Sequence, residues 1–353
     1  MIIRRKPGST ATALGETPAS RVSFARAHRG RIAAAGAGIA AVGLTLTTIF
    51  AFGASASTHS AKNLSGLPWN SGVFLPNATP ASIKAFGDWR GVPVDVATVW
   101  PNRGSWKAIT SPSWLYQIWK GSAVTVAFTE PMLPSGVGGS IQACAAGSYD
   151  SHWRQFGTNL ASHGLGNSII RLGWEFNGNW YIWKATNPMA WVQCWRQIVT
   201  SARATAPGLQ WDWNVNRGAS PGLPDPTMAY PGNAYVDTIG VDSYDIWPPA
   251  TTSKGWNQQL NGVQGLMYWL DFATAHGKQF AVPEWGNVMP GTVANGKHAG
   301  GDDPAYVNDM LRFFEAHSAA LAWEANFQSP TTRGVYRSGT EMPRAAAAYR
   351  AGF

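Results

Sequence analysis

Short apolar runs rich in Val and Ile recur along the chain, separated by longer stretches with helical spacing. The runs predict strands at Ser71–Leu75, Val94–Trp100, Ala123–Phe128, Ser168–Gly173, Leu209–Asn214, Val236–Tyr244, Gln279–Trp285 and Leu321–Phe327. The amphipathic stretches predict helices at Ser82–Trp89, Ser151–Ser162, Pro188–Ala206, Gln258–His276 and Pro304–His317. Pro188 and Pro304 stand where a first helical turn tolerates proline, with Asn187 and Asp303 as caps before them. Strands alternating with helices imply a parallel sheet, and eight of them imply a closed (β/α)8 barrel. The segments after the second and fifth strands are rich in Gly, Pro and Trp and read as loops. No internal repeat is visible.

The first 56 residues do not share this pattern. Met1–Arg31 is polar and basic, residues 32–53 are uncharged, and ASAS follows. That order is expected of an export signal cut after Ala56. The uncharged stretch is also long enough to cross a bilayer, so an anchor on the outer face of the cytoplasmic membrane is the rival expectation. Residues 57–68 read as a linker and 69–353 as one catalytic-sized domain. The whole chain carries +8; without the seven basic residues and one acid of 1–56, 20 basic and 18 acidic residues remain. The basic balance is therefore a targeting feature, and no nucleic-acid partner is expected. Cys144 and Cys194 are the only cysteines; they either pair in an oxidising compartment or stay as buried thiols. The chain is expected to be a monomer.

Composition adds one surprise, 19 tryptophans and 10 tyrosines. Aromatic rings with polar tips suit surfaces that grip the flat faces of sugars, although a Trp-rich core is the plainer alternative.

In a barrel of this kind chemistry sits at the C-terminal ends of the strands. There the sequence places Glu175 after Trp174, Glu284 before Trp285, Tyr244 and Asp245, Asn214, and Trp323 on the last strand. Two facing carboxyls are what glycoside cleavage needs: one protonated to serve the leaving oxygen, the other ionised. Glu175, between Trp174 and Phe176, fits the acid, because a poorly hydrated carboxyl holds its proton. Glu284, with the Tyr244 hydroxyl as a donor, fits the nucleophile. Arg171 is expected to be a positioning group of the substrate site; the competing expectation is structural, that it points into the barrel and simply neutralises Glu175.

These residues resemble glycoside hydrolase family 26, a (β/α)8 family that includes β-mannanases. RLGWEFNGNWYIW resembles its acid/base segment through Arg171, Glu175, Asn177, Gly178, Trp180 and Trp183. AVPEWG resembles its nucleophile segment and points to Glu284; YVDTIGVDSYD resembles the segment whose tyrosine, here Tyr244, contacts the nucleophile. Trp323 falls on the strand where the family carries a tryptophan under the scissile sugar. The resemblance implies retention of configuration by double displacement, with carboxyls about 5–5.5 Å apart, β-1,4-mannan as leading substrate and no cofactor or metal. One departure stands out. The family's residue before the acid/base is usually His and lines the sugar site; Trp174 cannot make its hydrogen bonds.

Trp180 and Trp183 are read as sugar platforms or core packing, and Trp285 and Trp247 as candidates for the cleft. Asn214 and Asn216 are read as reaching sugar hydroxyls or, as the plainer expectation, as turn residues, and Asp242 as a structural partner off the inward register. Glu130, Glu324 and Asp212 are spare acids near strand ends. A Ser/His/Asp nucleophile motif and a phosphate loop are both missing. The expectation is an exported glycanase with a polysaccharide partner. Its rivals are a xylanase- or glucanase-type specificity, an inactive barrel that only binds sugar, and an anchored envelope protein.

Overall fold

The computed structural model describes residues 63–291, 298–329, 334–336 and 341–353. The expected leader, its uncharged stretch 32–53 and the start of the linker lie outside the described residues. Among the described residues no helix is long and apolar enough to cross a membrane.

The described residues form one compact unit. Its eight strands are β1 (Asn70–Phe74), β2 (Val96–Val99), β3 (Thr125–Glu130), β4 (Ile169–Leu172), β5 (Gln210–Asn216), β6 (Thr238–Tyr244), β7 (Gln279–Gly286) and β8 (Leu321–Phe327). They run parallel in chain order and close through the β1–β8 pairing, Asn70 opposite Trp323 to Phe74 opposite Phe327. The (β/α)8 barrel expected from the pattern is the fold. Residues 63–68 run alongside the barrel's foot, where Ser65 N and Oγ donate to Asp95 at 2.8 and 2.7 Å.

Four helices come close to their predicted spans, α1 (Pro80–Arg90), α5 (Asp150–Ser162), α6 (Pro188–Arg203) and α9 (Pro304–Ala316), and the fifth prediction divides in two. The caps are as expected, Asn187 accepting from Ala190 N at 3.1 Å and Asp303 from Ala305 N at 2.9 Å. The Gln258–His276 pattern breaks into α7 (Ser253–Asn261) and α8 (Leu266–Ala275), because Gly262 and Gly265 interrupt it. The segment after β2, read as a loop, holds two short helices, α2 (Trp106–Thr110) and α3 (Ser113–Trp119). One or two turns are too short to show a 3.6-residue period. Pattern reading also misses α4 (Ile141–Ala145) and α10 (Pro343–Ala351) for the same reason.

The main core is the shell between barrel and helices. Helix α6 turns Trp191, Cys194, Trp195, Ile198, Val199 and Ala202 inward at helical spacing. Much of the tryptophan excess is spent here: Trp119, Trp153, Trp191, Trp195, Trp211, Trp213 and Trp269 are fully buried. Inside the barrel a smaller cluster of Val96, Ala127, Ile169, Ala281, Trp323 and Ala325 plugs the floor. Cys144 of α4 and Cys194 of α6 are joined in a disulfide, so of the two expectations pairing holds. The bridge closes a loop of 50 residues in sequence separation. Replacing both cysteines by serine is expected to cost about 2–4 kcal/mol, seen as a lower midpoint of thermal unfolding that reductant does not lower further.

Candidate active site

Inward-facing positions above the floor are polar. Arg171 on β4 is fully buried and organises them. Its Nη1 donates to Glu284 Oε1 at 2.8 Å and to Thr129 Oγ1 at 3.0 Å. Its Nη2 donates to both Asp242 oxygens at 3.0 and 2.9 Å and to Asn214 Oδ1 at 3.1 Å. Asp212 lies 3.8 Å from Nε. Asn214, assigned to a turn from sequence, is therefore a barrel-interior residue, its Nδ2 donating to Asp242 at 2.9 Å. Asp242 is also corrected: it shares the inward face with Tyr244, two residues on.

One guanidinium cannot balance three ionised carboxylates. Burial pushes Asp212 up to about 7, against the lowering effect of Arg171. Burial likewise raises Asp242 well above the usual carboxyl range, again opposed by Arg171. The network thus carries protons as well as charge. Glu284, the third partner, accepts from Arg171 on one oxygen and from Tyr244 OH on the other, at 2.6 Å. Tyr244 itself is held far above its ordinary pKa by burial and by Glu284, so it remains a donor.

Glu284 faces this network because of a bulge. Three steps along β6, Gly240 to Ser243, pair with four along β7, Ala281 to Trp285. Strict alternation from inward Ala281 would turn Glu284 outward; the extra residue reverses it. The same shift sends Trp285 to the outer face, where its Nε1 donates to Glu324 at 2.5 Å and its ring packs on Phe314 and Tyr349. The expectation that Trp285 lines the cleft is corrected on that ground.

Glu175 is placed by a strained turn. Gly173 has φ 55°, and a Cβ there would lie 2.6 Å from Met132 Sδ, so only glycine fits. Glu175 follows with φ 51°, a left-handed conformation uncommon for a non-glycine residue. Its N–H is held by Asn214 O at 3.1 Å, and Gly178 N closes the turn onto Glu175 O at 2.9 Å. The Trp180 ring lies across Gly178, where a Cβ would meet it at 2.4 Å. From there Trp180 Nε1 donates to Glu175 Oε2 at 2.9 Å, while the ring stays 47% exposed. Asn177 pins the loop to the end of β5 by exchanging two bonds with Asn216, at 2.8 and 2.9 Å.

Burial first, and then the charge of Glu284, push the Glu175 carboxyl up to about 8; the Trp180 bond and Arg171 pull the other way. Glu175 is therefore close enough to Glu284 to feel its charge, and the structure brings the two glutamates, Arg171 and Tyr244 to one end of the barrel. Arg171 pairs with Glu284 rather than neutralising Glu175.

The remaining aromatic expectations divide. Trp174 is buried, its Nε1 donating to Tyr181 OH at 2.9 Å and its ring 5.4 Å from that of Trp100. It joins Trp100, Arg103, Thr129, Pro131 and Ser135 in lining a cavity of about 420 Å³, next to Arg171 through the Thr129 hydroxyl. Trp183 is not a platform: it is buried under Tyr181, ring centroids 4.4 Å apart, and donates to Trp174 O at 3.0 Å. Trp323 is also corrected. It faces inward but is the third residue of β8, in the floor cluster. Four residues on, about 13 Å higher, Phe327 is the strand-eight aromatic at the mouth, 5.8 Å from the Tyr244 ring. Sequence reasoning missed Phe327 and Trp100, although both end predicted strands. The spare acids lie elsewhere: Asp212 deeper with Arg171, Glu324 bonded to Trp285 and Ser71. Glu130 is buried and close enough to Tyr116 to raise the phenol's pKa.

Fold and site together define a class, a (β/α)8 barrel whose C-terminal mouth holds the paired carboxyls that glycoside cleavage requires. The family resemblance is borne out: residues 160–285 match the model of glycosyl hydrolase family 26. A mannan endo-1,4-beta-mannosidase of Bifidobacterium adolescentis is 31% identical over 126 residues, 33% of this chain and 12% of that protein. The chain thus spans about an eighth of that relative's length. Among solved structures, the endo-beta-1,4-mannanase catalytic domain of Bacillus sp. JAMB-750 has a TM-score of 0.56 at 16% identity, covering 82% of this chain and 87% of that one. A double mutant of the Cellulomonas fimi endo-beta-1,4-mannanase has a TM-score of 0.54 at 17% identity, covering 75% and 65%. At these identities the structures share the fold.

Proposed function

We propose that the protein is a retaining glycoside hydrolase that cleaves internal β-linkages of a polysaccharide, with β-1,4-mannan as the leading substrate. Glu284 attacks the anomeric carbon. Glu175 protonates the leaving oxygen and then, as a base, activates the water that releases the product. Arg171 and Tyr244 position Glu284 and bind its charge; Trp174 and Trp180 border the sugars. The observation that carries this reading is the contrast between the two glutamates: one bridged by a guanidinium and a phenol, the other pushed by burial to about 8 and so protonated near neutrality. Mannan is favoured by the family match and by the similarity to the Bifidobacterium adolescentis mannan endo-1,4-beta-mannosidase. The basic, uncharged and small-residue order of 1–56 supports export.

The test is reducing-sugar release from mannan, glucomannan, mixed-linkage glucan and xylan by the wild type and a Glu284 variant. Release from mannan by the wild type alone is expected; equal release by both removes the site assignment. Release from xylan or glucan instead would keep the chemistry and change the substrate. Trp174 in the place of a hydrogen-bonding histidine favours a second reading, a barrel that binds sugar without turnover. Affinity for mannan with no release by the wild type would select it.

The pH profile tests the acid role. Above about pH 8 Glu175 loses its proton, so kcat/KM is expected to fall on the alkaline side. The Trp180 bond lowers this pKa; hence Trp180→Phe is expected to move the alkaline limb to higher pH, whatever it does to the height of the profile. A limb that stays fixed would mean that another group sets it.

A further inference from the structure

Trp247 is unused by the reading above, and its surroundings are built to hold it. It follows Tyr244 by three residues, so its Cα lies at most about 11 Å from that of the tyrosine bonded to Glu284. The loop that carries it is fixed on all sides. Arg217 Nη2 donates to Tyr244 O and Ile246 O at 3.2 and 2.7 Å, and its Nε to Ser243 Oγ at 3.0 Å. Asp245 Oδ1 accepts from Ala250 N at 2.7 Å, and Ile246 forms a bridge with Ala299. In this rigid frame the indole is left 52% exposed. One face is backed by the His298 ring, 3.8 Å away between centroids and tilted by 21°.

Two features argue against an idle surface residue. Trp247 has φ 57°, a conformation that costs a bulky side chain energy. An exposed indole also forgoes the burial that most other tryptophans of this chain obtain. A large flat ring, backed on one face and open to solvent, at the C-terminal end of a barrel strand, suits the apolar face of a sugar.

We propose that Trp247, braced by His298, is a stacking platform for a sugar of the β-linked chain beyond the residues that flank the scissile bond. This rests on the glycosidase reading and deepens it: the cleft grips a chain, and catalytic efficiency rises with chain length.

The experiment compares kcat/KM on short and long β-1,4-manno-oligosaccharides. For the full chain carrying Trp247→Ala, the long-to-short ratio is expected to fall about tenfold, with Trp247→Phe restoring most of it and His298→Ala giving a smaller fall. An unchanged ratio, or equal losses at both lengths, would overturn the platform. Should the wild type cleave none of these sugars, the glycosidase reading fails on its own. Binding of the longest oligosaccharide, followed by calorimetry, then decides the platform: weaker binding by Trp247→Ala supports it, and equal binding ends it.

Discussion

Glu284→Ala is expected to lower kcat on mannan by about 10⁴-fold or more, with the fold intact. The size follows from the role. Without the carboxylate no covalent intermediate forms, and no neighbour replaces it: Asp242 is tied to Arg171 by both oxygens, and Asp212 sits 3.8 Å from the guanidinium. The same two residues explain why the barrel survives. Removing Glu284 leaves Arg171 with carboxylate partners, so no buried charge is stranded. A thermal midpoint close to wild type is therefore part of the expectation. The truncation also opens room at the anomeric carbon. A small anion such as azide should restore turnover in the alanine variant and give a product of inverted configuration, since it attacks once from the vacated side. Wild-type rates in the variant would remove Glu284 from the chemistry; lost activity together with lost folding would make it a structural member of the Arg171 network.

The barrel was legible because its signals are long. Eight apolar runs with interleaved helices leave few other arrangements, and β8 matches its predicted span residue for residue. The glutamates were legible for a different reason: each ends a strand beside a tryptophan, in a chain whose other acids are few. What could not be read was direction. The β7 bulge reverses inside and outside within one strand, so Glu284 and Trp285, both read from sequence as facing the cleft, point to opposite sides of the barrel wall. Depth was equally hidden. Trp323 is on the inward face as expected, but strand stagger puts it in the floor and gives the mouth to Phe327. Asp242 and Asn214 escaped because a buried polar network has no sequence period; their role follows from where Arg171 ends.

That network also bears on the departure at position 174. Trp174 spends its only side-chain donor on Tyr181 while lining the adjoining cavity. Arg103 and Ser135 line the same cavity and are the hydrogen-bonding side chains it would offer a sugar. A change of sugar preference arising at Trp174 would leave the pair of glutamates unchanged. The distinction matters because chemistry and specificity then rest on different residues, and each can fail without the other.

Glu175→Ala should separate substrates by their leaving groups. On mannan, where the departing oxygen is a poor leaving group, loss of the proton donor is expected to cost about 10²–10⁴-fold in kcat/KM. On an activated aryl glycoside the phenolate leaves without help, so the first step should be far less affected. Its second step still lacks the base that activates water, and the covalent intermediate should accumulate. A burst of phenol followed by slow turnover is then the expected trace. The variant should also lose the alkaline limb of the profile, because the group pushed up to about 8 is gone. The assignment depends on this difference rather than on the size of either loss. Equal losses on both substrates, with no burst and an unchanged alkaline limb, would mean that position 175 shapes the site through its strained turn and its bond to Trp180, and that the proton comes from elsewhere.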